Sequence, residues 1–170
     1  VGLPALLSSG PAQTRIVRLE AMEEWTRSLS GVLTVGVGLE QALVATMRAN
    51  GAYAALVSGG FTAFTGAIAG VLGFDENRAN TLMVEDGRLT GQVADPILGR
   101  AAKVQALEEI SARLGFTPAE AIAVGDGAND LGMLGLAGMG VALHAKPSVQ
   151  AECQIRVNHG DLTALLYLQG

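Results

Sequence analysis

Short apolar segments alternate with helix-like segments along most of the chain, and the change from one to the other often falls on a glycine-rich turn. Residues 53–57 and 121–124 are typical of buried strands, and residues 62–72 and 101–114 are typical of helices. This alternation predicts an α/β domain with a mostly parallel sheet flanked by helices. Ligands bind such sheets at the carboxyl ends of the strands, so polar residues that follow a strand are candidates for a site.

The composition excludes several classes of partner. A net charge of −5 over 170 residues leaves no basic face for nucleic acid. The single cysteine, Cys153, cannot form an internal disulfide, which favours a reducing, cytoplasmic compartment. Residues 51–74 carry no charge, but Ser-Gly-Gly at residues 58–60 breaks this run into a strand and a helix. We therefore predict no membrane span.

The first fifty residues give three further predictions. Apolar residues recur at helical spacing over residues 15–30, which predicts an amphipathic helix. Residues 32–37 form a short β-like run interrupted by glycine. Residues 39–50 are typical of a helix, and Gly51 is well placed to end it.

The rest of the chain adds smaller elements. Asp-Gly between β-like residues 81–84 and 88–93 predicts a hairpin. Thr-Pro-Ala-Glu at residues 117–120 is typical of a helix start with a capping box. A helix is predicted to begin near residue 128, and residues 140–143 and 154–157 to form two more strands.

Three groups of polar residues fall at the predicted edge of the sheet. Ser58 and Gly59 stand between a strand and a helix, where a hydroxyl and unpaired amides favour an anion. Lys103 lies in the first turn of its helix, where a cation is unfavourable unless an anion offsets it. Taken singly, both features are also common in proteins that bind nothing.

Residues 125–130 (Gly-Asp-Gly-Ala-Asn-Asp) form the most specific group. Asp126, Asn129 and Asp130 place several oxygen atoms on one strand-to-helix turn. Mg²⁺ prefers such carboxylates and takes its remaining ligands from water and substrate phosphate. The structural alternative is that Asp126 and Asp130 only cap the following helix.

Together these groups resemble the later signature motifs of the haloacid-dehalogenase-like superfamily, in the same order and with similar spacing. Ser58 matches the serine of the second motif, Lys103 the lysine of the third, and Asp126 with Asp130 the acidic pair of the fourth. The finer pattern is similar to the phosphoserine phosphatase branch from about residue 42 to the C-terminus. The resemblance implies a Rossmann-like sheet with a small hairpin.

The resemblance also implies roles in holding phosphate. Ser58 and the amide of Gly59 would bind the phosphoryl oxygens, Lys103 would neutralise their charge, and Asn129 would contact the phosphate. Such positioning and charge stabilisation are central to phosphoryl transfer. The implied substrate is a small phosphorylated metabolite, in first place O-phospho-L-serine, hydrolysed to serine and phosphate in serine biosynthesis.

For the metal, the resemblance implies a Mg²⁺ cofactor ligated directly by Asp126. Asp130 would orient either the water shell of the cation or Lys103. The family's chemistry also needs an Asp-x-Asp motif, whose first aspartate attacks phosphorus and whose second is the general acid and base. No Asp-x-Asp occurs in this sequence, whose first aspartate is Asp75.

Three hypotheses account for the missing motif. The first, which we favour, is that the chain is a fragment that lacks the first strand and most of the helical cap. The second is that it is a degenerate homologue that binds phosphate compounds without hydrolysing them. The third is that residues 32–37 fill the first-strand position. Accordingly, residues 1–38 are predicted to be a remnant cap or a replacement segment, and residues 39–170 a core without its first strand.

These hypotheses have physical consequences. We expect weak Mg²⁺ binding and impaired or absent catalysis. We also expect an open sheet prone to form a homodimer or to swap strands, unless residues 1–38 fill the gap. A phosphotransferase or phosphatase acting on another small phosphomonoester is the alternative activity.

Overall fold

The computed structural model describes residues 16–18 and 36–169, and residues 16–18 and 36–38 by their backbone alone. Among these residues, six parallel strands form one sheet, and a two-stranded hairpin stands apart from it. The strands are β1 Ile16–Arg18, β2 Tyr53–Phe61, β3 Glu76–Asn80, β4 Leu82–Glu85, β5 Arg88–Val93, β6 Ile122–Gly125, β7 Met139–Leu143 and β8 Ile155–Val157. The helices are α1 Gly36–Ala49, α2 Thr62–Leu72, α3 Arg100–Leu114, α4 Leu131–Leu136, α5 Pro147–Glu152 and α6 Ala164–Gln169, with a 3₁₀ turn at Pro118–Glu120.

The strand order is β3-β2-β1-β6-β7-β8, which places β1 between the two strands that lead to the candidate site. Val17 of β1 is in register with Ala54 of β2 on one side and with Ile122 of β6 on the other. The α/β class, with a parallel sheet flanked by helices and a separate hairpin, is confirmed. The expected gap in the sheet is absent, because Ile16–Arg18 occupies that position.

Two predictions for the N-terminal part were wrong. The helix predicted over residues 15–30 does not include Ile16–Arg18, which form a strand; the other residues of that prediction lie outside the described ranges. Adjacent Ile16 and Val17 suit a strand, and pairing on both sides outweighs helical spacing. The hypothesis that residues 32–37 fill the first-strand position is also wrong, because Ile16–Arg18 pairs with both β2 and β6 there. Of that segment the structure describes only residues 36 and 37, which belong to α1.

The sheet buries apolar side chains on both faces, as alternation along its strands requires. Ala54, Ile122 and Val124 pack with α1 and α6, whereas Ala55 and Ala123 pack with α3, α4 and α5. The helix residues on the first face are Leu43, Val44, Met47 and Leu165. Those on the second face are Ala106, Leu107, Ile110, Met133, Leu134 and Val149. Helices therefore cover both faces of the sheet, and the carboxyl ends of the strands form the edge at which the candidate site lies.

The uncharged run folds as predicted into a strand, β2, and a helix, α2. Within the described ranges, no helix is both long enough and apolar enough to cross a membrane. The predicted hairpin is present as β4 and β5, which pair antiparallel. The predicted capping box is also present, although it opens a 3₁₀ turn rather than a long helix.

Several elements differ from the predictions. The helix expected near residue 128 begins only at Leu131, because residues 126–130 form a turn. No element is predicted from the sequence for the residues that form strand β3 and helices α5 and α6. β3 reads Glu-Asn-Arg-Ala-Asn, so it lacks the apolar pattern of a strand. It pairs only with β2, at the edge of the described sheet.

A polar network fastens β3 to the sheet and to α3. The Glu76 carboxylate accepts hydrogen bonds from Arg78 at 2.5 Å, from the Tyr53 hydroxyl at 2.8 Å and from Arg113. Arg78 also binds Glu109 on α3 at 2.6 Å. Partial burial raises the pKa of the Glu76 carboxyl, but its hydrogen bonds from Arg113, Arg78 and Tyr53 outweigh this and hold the pKa below its usual range.

We expect Glu76→Gln to lower the free energy of unfolding by about 1–3 kcal/mol near pH 7, because hydrogen bonds to a charged group are lost. A lowered folded-state pKa stabilises the fold above the unfolded pKa of about 4.3, and this contribution disappears as the pH falls through the folded value. Urea titrations from about pH 7 down to pH 3 measure it. If the difference in the free energy of unfolding between wild type and variant grew as the pH fell, this would contradict a lowered pKa for Glu76 in the folded state.

Candidate functional site

The carboxyl ends of β2 and β6 meet at one edge of the sheet, because both strands run parallel to β1. Ser58 lies within β2, where the pairing with β3 shifts register between Val57 and Phe61. The Ser58 hydroxyl accepts a hydrogen bond of 2.9 Å from the amide of Gly60. The predicted Ser-Gly-Gly turn is thus an irregularity in the strand that precedes α2, and Ser58 is buried within it.

Lys103 and Asp130 form a buried ion pair. The Lys103 Nζ lies 2.6 Å from Asp130 Oδ1, and the two side chains are 4% and 1% exposed. Lys103 belongs to the first turn of α3, and Asp130 directly precedes α4, so the pair joins two helices at the sheet edge. The cation that was unfavourable at a helix start therefore has an acidic partner within the protein.

The second oxygen of Asp130 is held by the backbone. Asp130 Oδ2 accepts hydrogen bonds from the amides of Asp126, at 3.2 Å, and Gly127, at 3.0 Å. Gly125 allows this approach, because a Cβ there would lie 2.5 Å from the Cβ of Asp130. The turn of residues 125–130 is therefore folded around the Asp130 carboxylate, which contacts Lys103.

The other polar residues of this turn are less buried than Asp130. Asp126 is half-buried and Asn129 is exposed. The carbonyl of Asp126 accepts a hydrogen bond of 3.3 Å from the amide of Lys146, which follows β7. The structure thus brings Lys103, Asp126 and Asp130 to one loop.

Asn80 connects the Ser-Gly-Gly turn to the segment that leads into α3. No prediction from the sequence included this residue. Its Nδ2 donates to the carbonyl of Gly59 at 2.8 Å, and its Oδ1 accepts from the amide of Leu98 at 2.7 Å. The side chain is 6% exposed. Because Leu98 stands two residues before α3, Asn80 couples Gly59 to the helix that carries Lys103.

No strong pattern in the sequence marks Asn80. It ends a polar edge strand, and both of its partners are about twenty residues away along the chain.

We expect Asn80→Ala to lower the free energy of unfolding by about 1–3 kcal/mol, because it leaves the Leu98 amide and the Gly59 carbonyl without their partner. If the proposed phosphate site depends on the placement of Gly59, the variant also loses part of the stabilisation that phosphate gives. Differential scanning fluorimetry with and without inorganic phosphate measures both effects.

Asn50→Ala provides the matched control, because the exposed Asn50, which directly follows α1, donates one side-chain hydrogen bond of 2.8 Å to the carbonyl of Thr46 in that helix. The control is expected to change stability by no more than about 0.5 kcal/mol and to leave the phosphate response intact. Equal effects of the two variants would contradict the role given to Asn80.

The described residues provide a limited donor set for a cation. Both oxygens of Asp130 accept hydrogen bonds from the protein, which ties Asp130 to Lys103. Across residues 39–169, no three His, Cys, Asp or Glu side chains cluster as metal ligands do. Asp126 is the carboxylate at the loop surface. This set fits Mg²⁺, which binds through one or two carboxylates and keeps water and phosphate in its other positions.

Comparison with known proteins identifies similar chains. The family described as haloacid dehalogenase-like hydrolase matches residues 17–135. Phosphoserine phosphatase of Streptomyces coelicolor is 45% identical over 75% of this chain and 31% of its own length, and that of Haemophilus influenzae is 43% identical over 74% and 40%. The solved structure of a phospho-aspartyl intermediate analogue of phosphoserine phosphatase has a TM-score of 0.71 and 36% identity, covering 76% of this chain and 62% of that one.

The extent of these matches is also informative. The chain spans between 31% and 55% of the length of the first four curated relatives that it matches. The match to the family, over residues 17–135, includes the Ser-Gly-Gly turn, the hairpin and the loop of residues 125–130.

Proposed function

The chain belongs to the haloacid dehalogenase-like hydrolase family, and we propose that it binds a small phosphomonoester, O-phospho-L-serine in first place, without hydrolysing it unaided. The observation that carries this proposal is the Lys103–Asp130 pair, 2.6 Å apart and buried beside the turn that the amides of Asp126 and Gly127 complete. A buried ammonium fixed at the end of a parallel sheet is suited to a phosphate dianion.

Each residue of the site has a proposed role in holding the phosphate. Ser58 and the amide of Gly59 bind phosphoryl oxygens at the irregular end of β2. Lys103 neutralises charge, and Asp130 fixes the position of its ammonium. The exposed Asn129 contacts the phosphate. These roles follow from the match to the family's motifs, and the buried Lys103–Asp130 pair supports those given to Lys103 and Asp130.

Asp126 is the residue that would hold Mg²⁺. When bound, the cation would neutralise the charge of the phosphate oxygens. We expect binding to be weak, because Mg²⁺ prefers near-ideal octahedral coordination and the described residues offer it a single carboxylate. The cation is therefore proposed to enter mainly together with the phosphate compound.

Turnover is the step that we propose the chain lacks. Hydrolysis by an aspartyl-phosphate route needs a carboxylate that attacks phosphorus and a second acid that protonates the leaving oxygen. The sequence contains no Asp-x-Asp pair from which these two groups could come. Positioning and charge stabilisation then hold the substrate without breaking its P–O bond.

The substrate proposal rests on similarity to proteins named phosphoserine phosphatase. Other small phosphomonoesters are the alternative, together with transfer of the phosphoryl group to another hydroxyl. The expected cytoplasmic location and the boundary at residue 38 also stay predictions. The homodimer or strand swap was expected because of a gap in the sheet. We no longer propose it, because β1 fills the position between β2 and β6.

Phosphate release from O-phospho-L-serine in the presence of Mg²⁺ tests the proposal. We expect no release above the buffer blank, while inorganic phosphate raises the thermal midpoint of the same sample. Turnover that Asp126→Asn abolishes would contradict the absence of catalysis. No turnover and no thermal shift, even at millimolar phosphate, would contradict the binding site itself.

A further inference from the structure

The whole chain contains two lysines, Lys103 and Lys146. Lys103 is part of the proposed phosphate site. Lys146 follows β7, the strand beside β6, and lies at the same edge of the sheet. Gly125 at the end of β6 is in register with Ala142 of β7, so Leu143, the last residue of β7, is level with Asp126.

The backbone of Lys146 is tied to the loop of residues 125–130. Its amide donates a hydrogen bond of 3.3 Å to the carbonyl of Asp126. Its own carbonyl accepts from the amides of Val149, at 2.9 Å, and Gln150, at 3.0 Å, as α5 begins. The Gln150 side chain also donates to the carbonyl of Ala145 at 2.6 Å. The Lys146 side chain therefore leaves the backbone from a fixed point beside the proposed Mg²⁺ ligand.

The side chain of Lys146 is exposed, in contrast to the buried Lys103. Within the part of the chain whose side chains are described, its ammonium forms neither an ion pair nor a hydrogen bond. A flexible four-carbon stem allows the ammonium to reach a ligand seated on the neighbouring loop.

The charges of the side chains at this edge of the sheet indicate what kind of group Lys146 could contact. Asp126 and Asp130 contribute two carboxylates to this edge, and Lys103 contributes one ammonium, so these three side chains together are negative. A phosphate dianion needs the opposite sign. A further cation at the rim would reduce this repulsion.

We propose that Lys146 is a specificity-determining residue that pairs with an anionic group of the bound phosphomonoester at the rim of the site. This inference rests on the proposed function, because it assumes that the neighbouring loop binds phosphate. It assigns Lys146 a role in recognising charge and none in breaking a bond.

The test compares dissociation constants for O-phospho-L-serine by isothermal titration calorimetry at low and high salt. We expect Lys146→Gln to weaken binding about two- to fivefold at low salt, the range of one exposed ion pair. The loss should shrink as salt rises, because the pair is exposed. Lys146→Arg should restore most of the affinity, whereas a merely structural role would not depend on salt or on charge.

Arg88→Gln is the matched control, since it removes one exposed cation from the hairpin. It should leave affinity unchanged at both salt concentrations. Lys103→Met separates the two proposals. If Lys103→Met loses binding while Lys146→Gln matches wild type, the inference about Lys146 is overturned and the phosphate site stands. If the wild-type chain shows no binding, both are overturned.

Discussion

Asp130→Ala is expected to lower the free energy of unfolding by about 3–5 kcal/mol, the usual effect of removing one partner from a buried ion pair. The variant leaves the ammonium of Lys103, 4% exposed, without the carboxylate 2.6 Å away. It also removes the acceptor for the amides of Asp126 and Gly127, so the loop of residues 125–130 loses its internal support. We expect the thermal shift produced by phosphate to disappear with it.

Chemical denaturation with and without inorganic phosphate measures both effects. Glu108→Ala is the control, because it removes an exposed carboxylate from the same helix as Lys103 and should change stability by no more than about 0.5 kcal/mol. Asp130→Asn keeps the shape and should show an intermediate loss. A variant Asp130→Ala as stable as the control, or one that phosphate still protects fully, would contradict the structural role of this ion pair.

Gly125→Ala is expected to have the next largest effect, a loss of about 1–3 kcal/mol from overpacking. Its Cβ would stand 2.5 Å from the Cβ and 2.6 Å from the Cγ of Asp130, and a Cβ is not the mobile end of a side chain. To relieve the contact, Asp130 must move away from Lys103 or from the amides that it binds. We therefore expect the phosphate response to fall together with stability.

Gly135→Ala is the matched control within α4, because a Cβ at that position would meet nothing within 4 Å. Alanine in a helix interior should stabilise the fold by about 0.5–1 kcal/mol. Thermal and urea denaturation of the two variants, each with and without phosphate, gives the comparison. Equal stability of the two variants would show that Asp130 does not require the space beside Gly125.

The local parts of the candidate site could be predicted from the sequence. Ser-Gly-Gly between a strand and a helix, and two acidic residues on a glycine-rich turn, depend on neighbours within six residues. For Lys103, the position in the sequence indicates an unfavourable cation at a helix start, and the family resemblance leaves open whether Asp130 orients Lys103 or the water shell of the cation. The structure shows Asp130 in contact with Lys103, although the two residues are 27 positions apart along the chain.

The non-local parts could not be predicted in this way. Ile16–Arg18 is a strand because β2 and β6 pair with it on both sides, and these strands lie more than thirty residues further along. Helical spacing in that segment carried no information on such partners. Asn80 likewise acquires its role from Gly59 and Leu98.

β3 illustrates a third reason. Its residues are mostly polar, so neither alternation nor an apolar run marks a strand. Backbone pairing with β2 and the contacts of Glu76 and Arg78 to α3 replace the burial that a central strand obtains from both faces.

The central claim is that the sheet edge with Ser58, Lys103 and Asp126 binds a phosphomonoester without hydrolysing it. Isothermal titration calorimetry of O-phospho-L-serine with Mg²⁺ tests it most directly, because binding gives a saturable heat and turnover gives a continuing one. We predict saturable heat that disappears in Lys103→Met and no continuing heat. Either the absence of binding heat, or a continuing heat that Asp126→Asn removes, would contradict the account.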